Sequence, residues 1–274
     1  MSTLYRNSVC LHLILILNMR FLSLPHFPNI NVQSQHNRRD YFIAAFTFVT
    51  VTICLTTDGF APKYFQYLLA FFGWLFLLAF LRGECKYVRT QVAVAVSFAV
   101  IGEYFASIYM QGYIYRFGNV PAYVPPGHGL VYLTAVALGR SGLFQRHARK
   151  IALFVVTLCG LWAIWGLSEW TQRPDMIGAL LFLVFLGYLF KGRSPTVYLG
   201  AFFITSWLEL VGTSAGTWAW AVIDPASKLP QGNPPSGVAA WYCLVDAVAI
   251  AGAAPLLDSL TRTRAYFQRQ AIKF

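Results

Sequence analysis

Apolar residues run along this chain in long blocks rather than in strict alternation. After a mixed first forty residues, eight stretches carry few charges: 41–57, 64–81, 91–110, 127–144, 151–170, 176–190, 196–216 and 237–257. A helix that crosses a bilayer needs about 20 apolar residues, within a range of about 17–25. The blocks therefore predict an all-α, polytopic transmembrane bundle of about eight spans. Charges punctuate them: Asp40 and Asp58 flank the first, Lys63 and Arg82 the second, and Lys191 ends the sixth.

Four regions follow from this reading. Residues 1–40 form a flexible arm, 41–144 and 145–258 hold four spans each, and 259–274 make a basic tail. In the arm, 10–17 is apolar but too short to span, and no convincing small-residue cleavage site follows it. Met19 is an alternative start, and Pro25 and Pro28 suit a loop. In the tail, Arg262, Arg264, Arg269 and Lys273 alternate with Leu260, Tyr266, Phe267 and Ile272. That mixture suits either an amphipathic segment on an anionic surface or a plain basic tail.

Composition agrees with the pattern. Only 11% of the 274 residues are charged and 57% are hydrophobic, whereas a soluble domain carries about 25% charged residues. The net charge of +11 would raise nucleic acid as a partner in a soluble protein, but no basic stripe lies on a polar surface, so none is expected. The basic residues instead sort by loop. With the N-terminal arm inside, the inside loops and tail hold 14 Lys and Arg and the outside loops 4. Excess Lys and Arg mark the cytoplasmic side, so an even span count is expected in the cell membrane with both termini cytoplasmic. The five cysteines form no CxxC and no Cys/His cluster, which supports neither a disulfide framework nor a metal site.

Two segments resemble each other. In the first, Glu103 is followed by Gly112, Tyr113 and Tyr115, then by Pro125-Pro126-Gly127-His128 and Tyr132. In the second, Glu209 is followed by Gly216, Trp218 and Trp220, then by Pro234-Pro235-Ser236-Gly237 and Trp241. The acidic residues lie 106 positions apart and the Pro-Pro pairs 109. Either the chain contains two four-span repeats or two aromatic membrane loops coincide. An even number of spans per repeat makes the halves parallel, related by an axis along the membrane normal. Proline suits the first turn of a helix, so the fourth and eighth spans are expected to begin near Gly127 and Gly237.

Ionisable side chains inside a membrane are costly, and they mark function by default. The candidates are Glu103, Glu209, Asp246, Arg140 and His128. The two glutamates sit late in their spans, where a two-fold repeat would turn both toward one cavity. Desolvation favours the neutral form of a carboxyl, and a neutral carboxyl is a general acid. The alternative is an interhelical hydrogen bond that fixes packing. Asp246 lies mid-span, and the repeat places Ala137 opposite it. His128 is in a first turn, where it would shuttle a proton, meet a headgroup or cap the helix. Arg140 lies near a span end and is expected to snorkel to the interface. Tyr113, Tyr115, Trp218, Trp220 and Trp241 suit either an interfacial belt or the wall of a substrate pocket. Arg116 and Asn119 suit either an anion contact or an anchor. The motifs of nucleotide, zinc-protease and serine-hydrolase sites are missing from the sequence, and no cofactor is expected.

The stretch Glu209-Leu-Val-Gly212-Thr-Ser-Ala-Gly216-Thr-Trp218-Ala-Trp220 resembles a Glu-x-x-Gly-x-x-x-Gly segment of carotenoid hydratase-type membrane proteins. There too an aromatic-x-aromatic step and a proline loop follow. The likeness covers about a dozen residues directly, and this chain departs from it in its Pro-Pro loops. It implies an acidic residue acting on the apolar double bond of an isoprenoid, within carotenoid biosynthesis. Three functions fit the sequence: an enzyme acting on a lipid or isoprenoid, a proton- or cation-coupled carrier or lipid permease, and an accessory subunit with a membrane-protein partner or a second copy of itself.

Overall fold

The computed structural model describes residues 37–271, with side chains for 38–263. The expectations for 10–17, Met19, Pro25 and Pro28 fall outside the described residues. Eight helices make up the described chain: α1 (Asn37–Phe60), α2 (Phe65–Arg82), α3 (Lys86–Glu103), α4 (Val124–Arg140), α5 (Gly142–Gly166), α6 (Met176–Lys191), α7 (Pro195–Ser214) and α8 (Ala239–Ala271). Six of them are long and apolar enough to cross a membrane; α4 and α6, with 17 and 16 residues, are shorter. Apolar side chains cover the outside of the bundle, among them Phe71, Leu75 and Leu153. In water such a surface would aggregate, and in lipid it is ordinary. The chain is thus all-helical and built for a membrane.

The core lies where α4 meets α7. Gly139 packs on the backbone of Thr196 and Val197, and Gly200 on the backbone of Ala135, where a Cβ would come within 2.5 Å of the Ala135 carbonyl oxygen. Small residues let helix backbones approach this closely in membranes. Around the contact, Leu133, Val136, Val197 and Leu199 are fully buried. A second long contact joins α3 and α8, pinned where the Tyr87 hydroxyl donates to the Ile250 carbonyl.

Several boundaries differ from the sequence expectation. The stretch 127–144 divides, because α4 ends at Arg140 and Ser141 turns to an extended conformation. The Ser141 hydroxyl then accepts from the Phe144 N–H and caps α5, as serine does at helix starts. Pro125 and Pro126 occupy the first turn of α4 as expected. Pro234 and Pro235 instead lie in the loop before α8. There Asp175 accepts from the backbone N–H of Gly232 and Ser236 as well as Gly178, so the loop is tied to the start of α6 rather than drawn into a helix. α8 continues through Pro255 to Ala271, so the described part of the basic tail is helical.

Arg140 does not snorkel. Its side chain is 5% exposed, and it donates to both Glu84 oxygens at 2.7 and 2.8 Å and to Asp40 through Nε at 3.0 Å. Arg39 also donates to Glu84. Two cations and two anions thus cancel in one buried knot joining α1, α4 and the α2–α3 turn. Burial alone would raise the Glu84 pKa, but Arg140 and Arg39 outweigh it and hold the carboxyl below the usual glutamate range. A depressed acid stabilises the fold above its unfolded pKa and loses that effect as pH falls through its folded value. The thermal midpoint is therefore expected to be flat around neutrality and to drop on acidification below the glutamate range. Glu84→Gln should lower the neutral midpoint and shrink that acid drop. A wild-type midpoint that rises on acidification would refute the linkage.

Candidate functional site

At the other end of the bundle, α3 passes without a break into a π-helical turn, Tyr104–Tyr109. Such wide turns are rare and cluster at functional sites. The chain then forms β1 (Tyr113–Tyr115), which pairs antiparallel with β2 (Trp218–Trp220). The register sets Tyr113 against Trp220, Ile114 against Ala219 and Tyr115 against Trp218. Alternating residues of a strand share a face, so the aromatic-x-aromatic steps place all four rings on one side. Tyr113 and Trp220 lie 4.8 Å apart between ring centres, and Tyr115 and Trp218 5.9 Å.

These four rings serve two carboxyl groups. Glu103 Oε2 accepts from the hydroxyls of Tyr113 at 2.6 Å and Tyr115 at 2.7 Å, and its Oε1 lies 2.8 Å from His128 Nε2. Glu209 Oε2 accepts from the indole N–H groups of Trp218 and Trp220, each at 3.0 Å. Its Oε1 lies 2.9 Å from the Tyr242 hydroxyl. The ring of His128 stacks on that of Tyr242, 5.7 Å between centres. Each carboxyl therefore has three partners, and the two sets of partners touch.

The two sets differ chemically. Glu103 meets two phenol hydroxyls and an imidazole, whereas Glu209 meets two indoles and one phenol. An indole N–H is a donor only, so Glu209 Oε2 is held as an acceptor, and Oε1 is the oxygen on which this carboxyl can carry a proton. Burial and then the charge of Glu103 push the Tyr113 and Tyr115 phenols well above the ordinary tyrosine range, so both remain donors.

Both carboxyls open on a cavity of about 880 Å³. Its walls are mainly apolar, with Phe72, Phe98, Leu130, Leu181 and Val245 among them. Large apolar pockets with a few convergent polar groups are the usual ligand sites. Ile101 and Phe105 of the wall are also strongly exposed.

Of the sequence candidates, Glu103, Glu209, His128, Tyr113, Tyr115, Trp218, Trp220 and Trp241 all line this cavity. Trp241 stands at its exposed edge, and the bond to Glu209 comes from its neighbour Tyr242, which sequence reasoning passed over. Arg116 lies outside the cavity, where it donates to the Asp58 and Ala61 carbonyls, and Asn119 donates to Gln66. Asp58 was read as a span flank, yet it is 1% exposed and accepts from Gln66 and Tyr123.

Asp246 also lies outside the cavity. It is 3% exposed, and its Oδ2 has no hydrogen-bond partner. The Tyr132 hydroxyl and both polar atoms of Gln91 are likewise buried without partners. Replacing a poorly partnered buried ionisable group by an apolar one is often neutral or stabilising. Asp246→Leu is expected to keep or raise the thermal midpoint and to leave product formation unchanged; a loss of product without loss of stability would return Asp246 to the chemistry.

In comparisons with protein-family models, curated proteins and solved structures, the chain matches none.

Proposed function

We propose that the chain is an integral membrane enzyme that acts on a lipid or isoprenoid by acid catalysis from its intramembrane carboxyls. One observation carries this reading: two chemically distinct carboxyl sites, joined through aromatic rings, open on one large apolar cavity. Glu209 is the acid. Its O–H bond breaks while the π pair of a substrate double bond forms a C–H bond, leaving a carbocation and a Glu209 carboxylate. Glu103, held by His128, Tyr113 and Tyr115, is the base. It takes a proton from a neighbouring carbon, or from water that adds to the cation. The aromatic rings of Tyr113 and Trp220 in the cavity wall stabilise the positive charge. The likeness of the Glu209 segment to carotenoid hydratase-type proteins supports an isoprenoid double bond as the target.

In the same reading the bundle is two parallel four-helix repeats, crossing the cell membrane eight times with both termini cytoplasmic. The register of β1 and β2 is symmetric about the Ile114–Ala219 pair. The contacts α3–α8 and α4–α7 exchange under the same two-fold operation. Asp58 ties the end of α1 to the residue before α4, and Asp175 ties the loop after α5 to the segment before α8. The bias of 14 to 4 in basic residues supports the orientation.

The test is lipid extraction and mass spectrometry from cells carrying the wild type, the Glu103→Gln, Glu209→Gln double variant or no gene. A lipid made only with the wild type is expected. Identical extracts from all three would reject the enzyme reading.

A further inference from the structure

The two carboxyl sites differ most beside the carboxyls, where the cavity is lopsided. Gly102 directly precedes Glu103, and Gly127 directly precedes His128; both line the cavity. A Cβ built at either glycine meets nothing within 4 Å. The corresponding places in the other half are filled. Leu208 precedes Glu209 and is buried. Ser236, one residue after its Pro-Pro pair as Gly127 is after its own, is 1% exposed. Glycine therefore leaves the cavity wall bare beside Glu103, whereas beside Glu209 the wall carries the side chain of Leu208. On that same side Ile101 and Phe105 are 69% and 53% exposed. Both of these residues line the same cavity as Glu103 and His128.

We infer that the substrate is one apolar chain that enters sideways past α3, and that Gly102 and Gly127 decide how bulky a chain reaches the carboxyl pair. This rests on the reading of the cavity as a lipid site, but not on the acid chemistry proposed for it. The physical reason is packing: a leucine side chain at either position would occupy the space that a substrate carbon needs, and close-packed interiors do not yield a methylene freely. An alanine adds only a Cβ to space that is already open, and takes less of it than a leucine does. Neither exchange harms the helices, since leucine and alanine are better helix formers than glycine.

The test uses the full chain in detergent and native mass spectrometry with added farnesol and geranylgeraniol, scoring the protein-bound adduct. Gly187 supplies the control, because its Cβ also meets nothing within 4 Å but it lies on α6 away from the cavity. Gly102→Leu and Gly127→Leu are expected to lower the geranylgeraniol adduct at least tenfold, with the shorter farnesol reduced less. Gly102→Ala and Gly127→Ala should lower it less than the leucine exchanges do, and Gly187→Leu should bind as the wild type does. Unchanged binding in both cavity leucine variants, an equal loss in Gly187→Leu, or no adduct with the wild type would each overturn the inference. The Glu103→Gln, Glu209→Gln variant separates the two ideas: bound chain without product leaves the entry path standing when the chemistry is removed, and product retained with the chain bound rejects the acid reading alone.

Discussion

Glu209→Gln is expected to reduce product formation by about 10²–10⁴-fold, the usual contribution of a positioned acid. The exchange keeps the shape of the side chain. A glutamine carbonyl oxygen still accepts from the Trp218 and Trp220 indoles, so the fold should persist and the thermal midpoint should hold. What disappears is the proton on the oxygen that faces Tyr242. Glu103→Gln acts differently. Its amide NH2 either faces two phenol hydroxyls, which must turn to accept, or faces His128, whose Nε2 must then take the accepting tautomer. That variant should lose product and some stability together. Purified enzyme in detergent, assayed for the product identified from cell extracts, checks both. Full turnover in Glu209→Gln would remove it as the acid, and the shape-conserving design makes unfolding an inadequate excuse.

Arg140→Leu is expected to be the most damaging single change to the fold. It leaves Asp40, 1% exposed, and Glu84, 6% exposed, without their shared guanidinium. Removing one partner of a buried ion pair typically costs about 3–5 kcal/mol, because the remaining charge is stranded. Arg39 still reaches Glu84, but Asp40 has no other ion pair among the described residues, and Arg39 acts on it only at longer range. The triple variant Asp40→Asn, Glu84→Gln, Arg140→Leu removes the stranded charges as well, so it should regain most of the lost midpoint. Thermal unfolding followed in detergent measures both. A single Arg140→Leu variant as stable as the wild type would show that the knot adds nothing to the fold.

The carboxyl pair and the ion knot were unequally legible from the chain. Glu103 and Glu209 stood out because an acid inside an apolar block has no cheap explanation. Their spacing from Tyr113, Tyr115, Trp218 and Trp220 recurs in the sequence, so the aromatic sets could be named before any fold was known. Arg140 stood out for the same reason, yet its role was misread. A span-end arginine has two ways to satisfy its charge, water or an anion, and the anions here come from Asp40, 100 positions earlier, and Glu84, 56 positions earlier. No local pattern carries that distance. Tyr242 was overlooked beside Trp241 because the choice between neighbouring residues on a helix depends on which face turns inward, and a helix with apolar residues all round conceals its face.

Long uncharged blocks bounded by charge determined, from the sequence alone, that this chain is a helical membrane protein. The reason is that lipid demands internally satisfied backbone over a fixed length. The same blocks located the two acids that the membrane would not otherwise hold. The repeat leads to the expectation of one shared cavity, and the tertiary structure supplies its means: the antiparallel pairing of β1 with β2 brings together residues about a hundred positions apart. Tertiary structure alone decided which carboxyl keeps donor-only partners, and which side of the cavity is left bare by glycine. Those properties arise from contacts between helices, and packing between distant segments leaves no periodic trace along the chain.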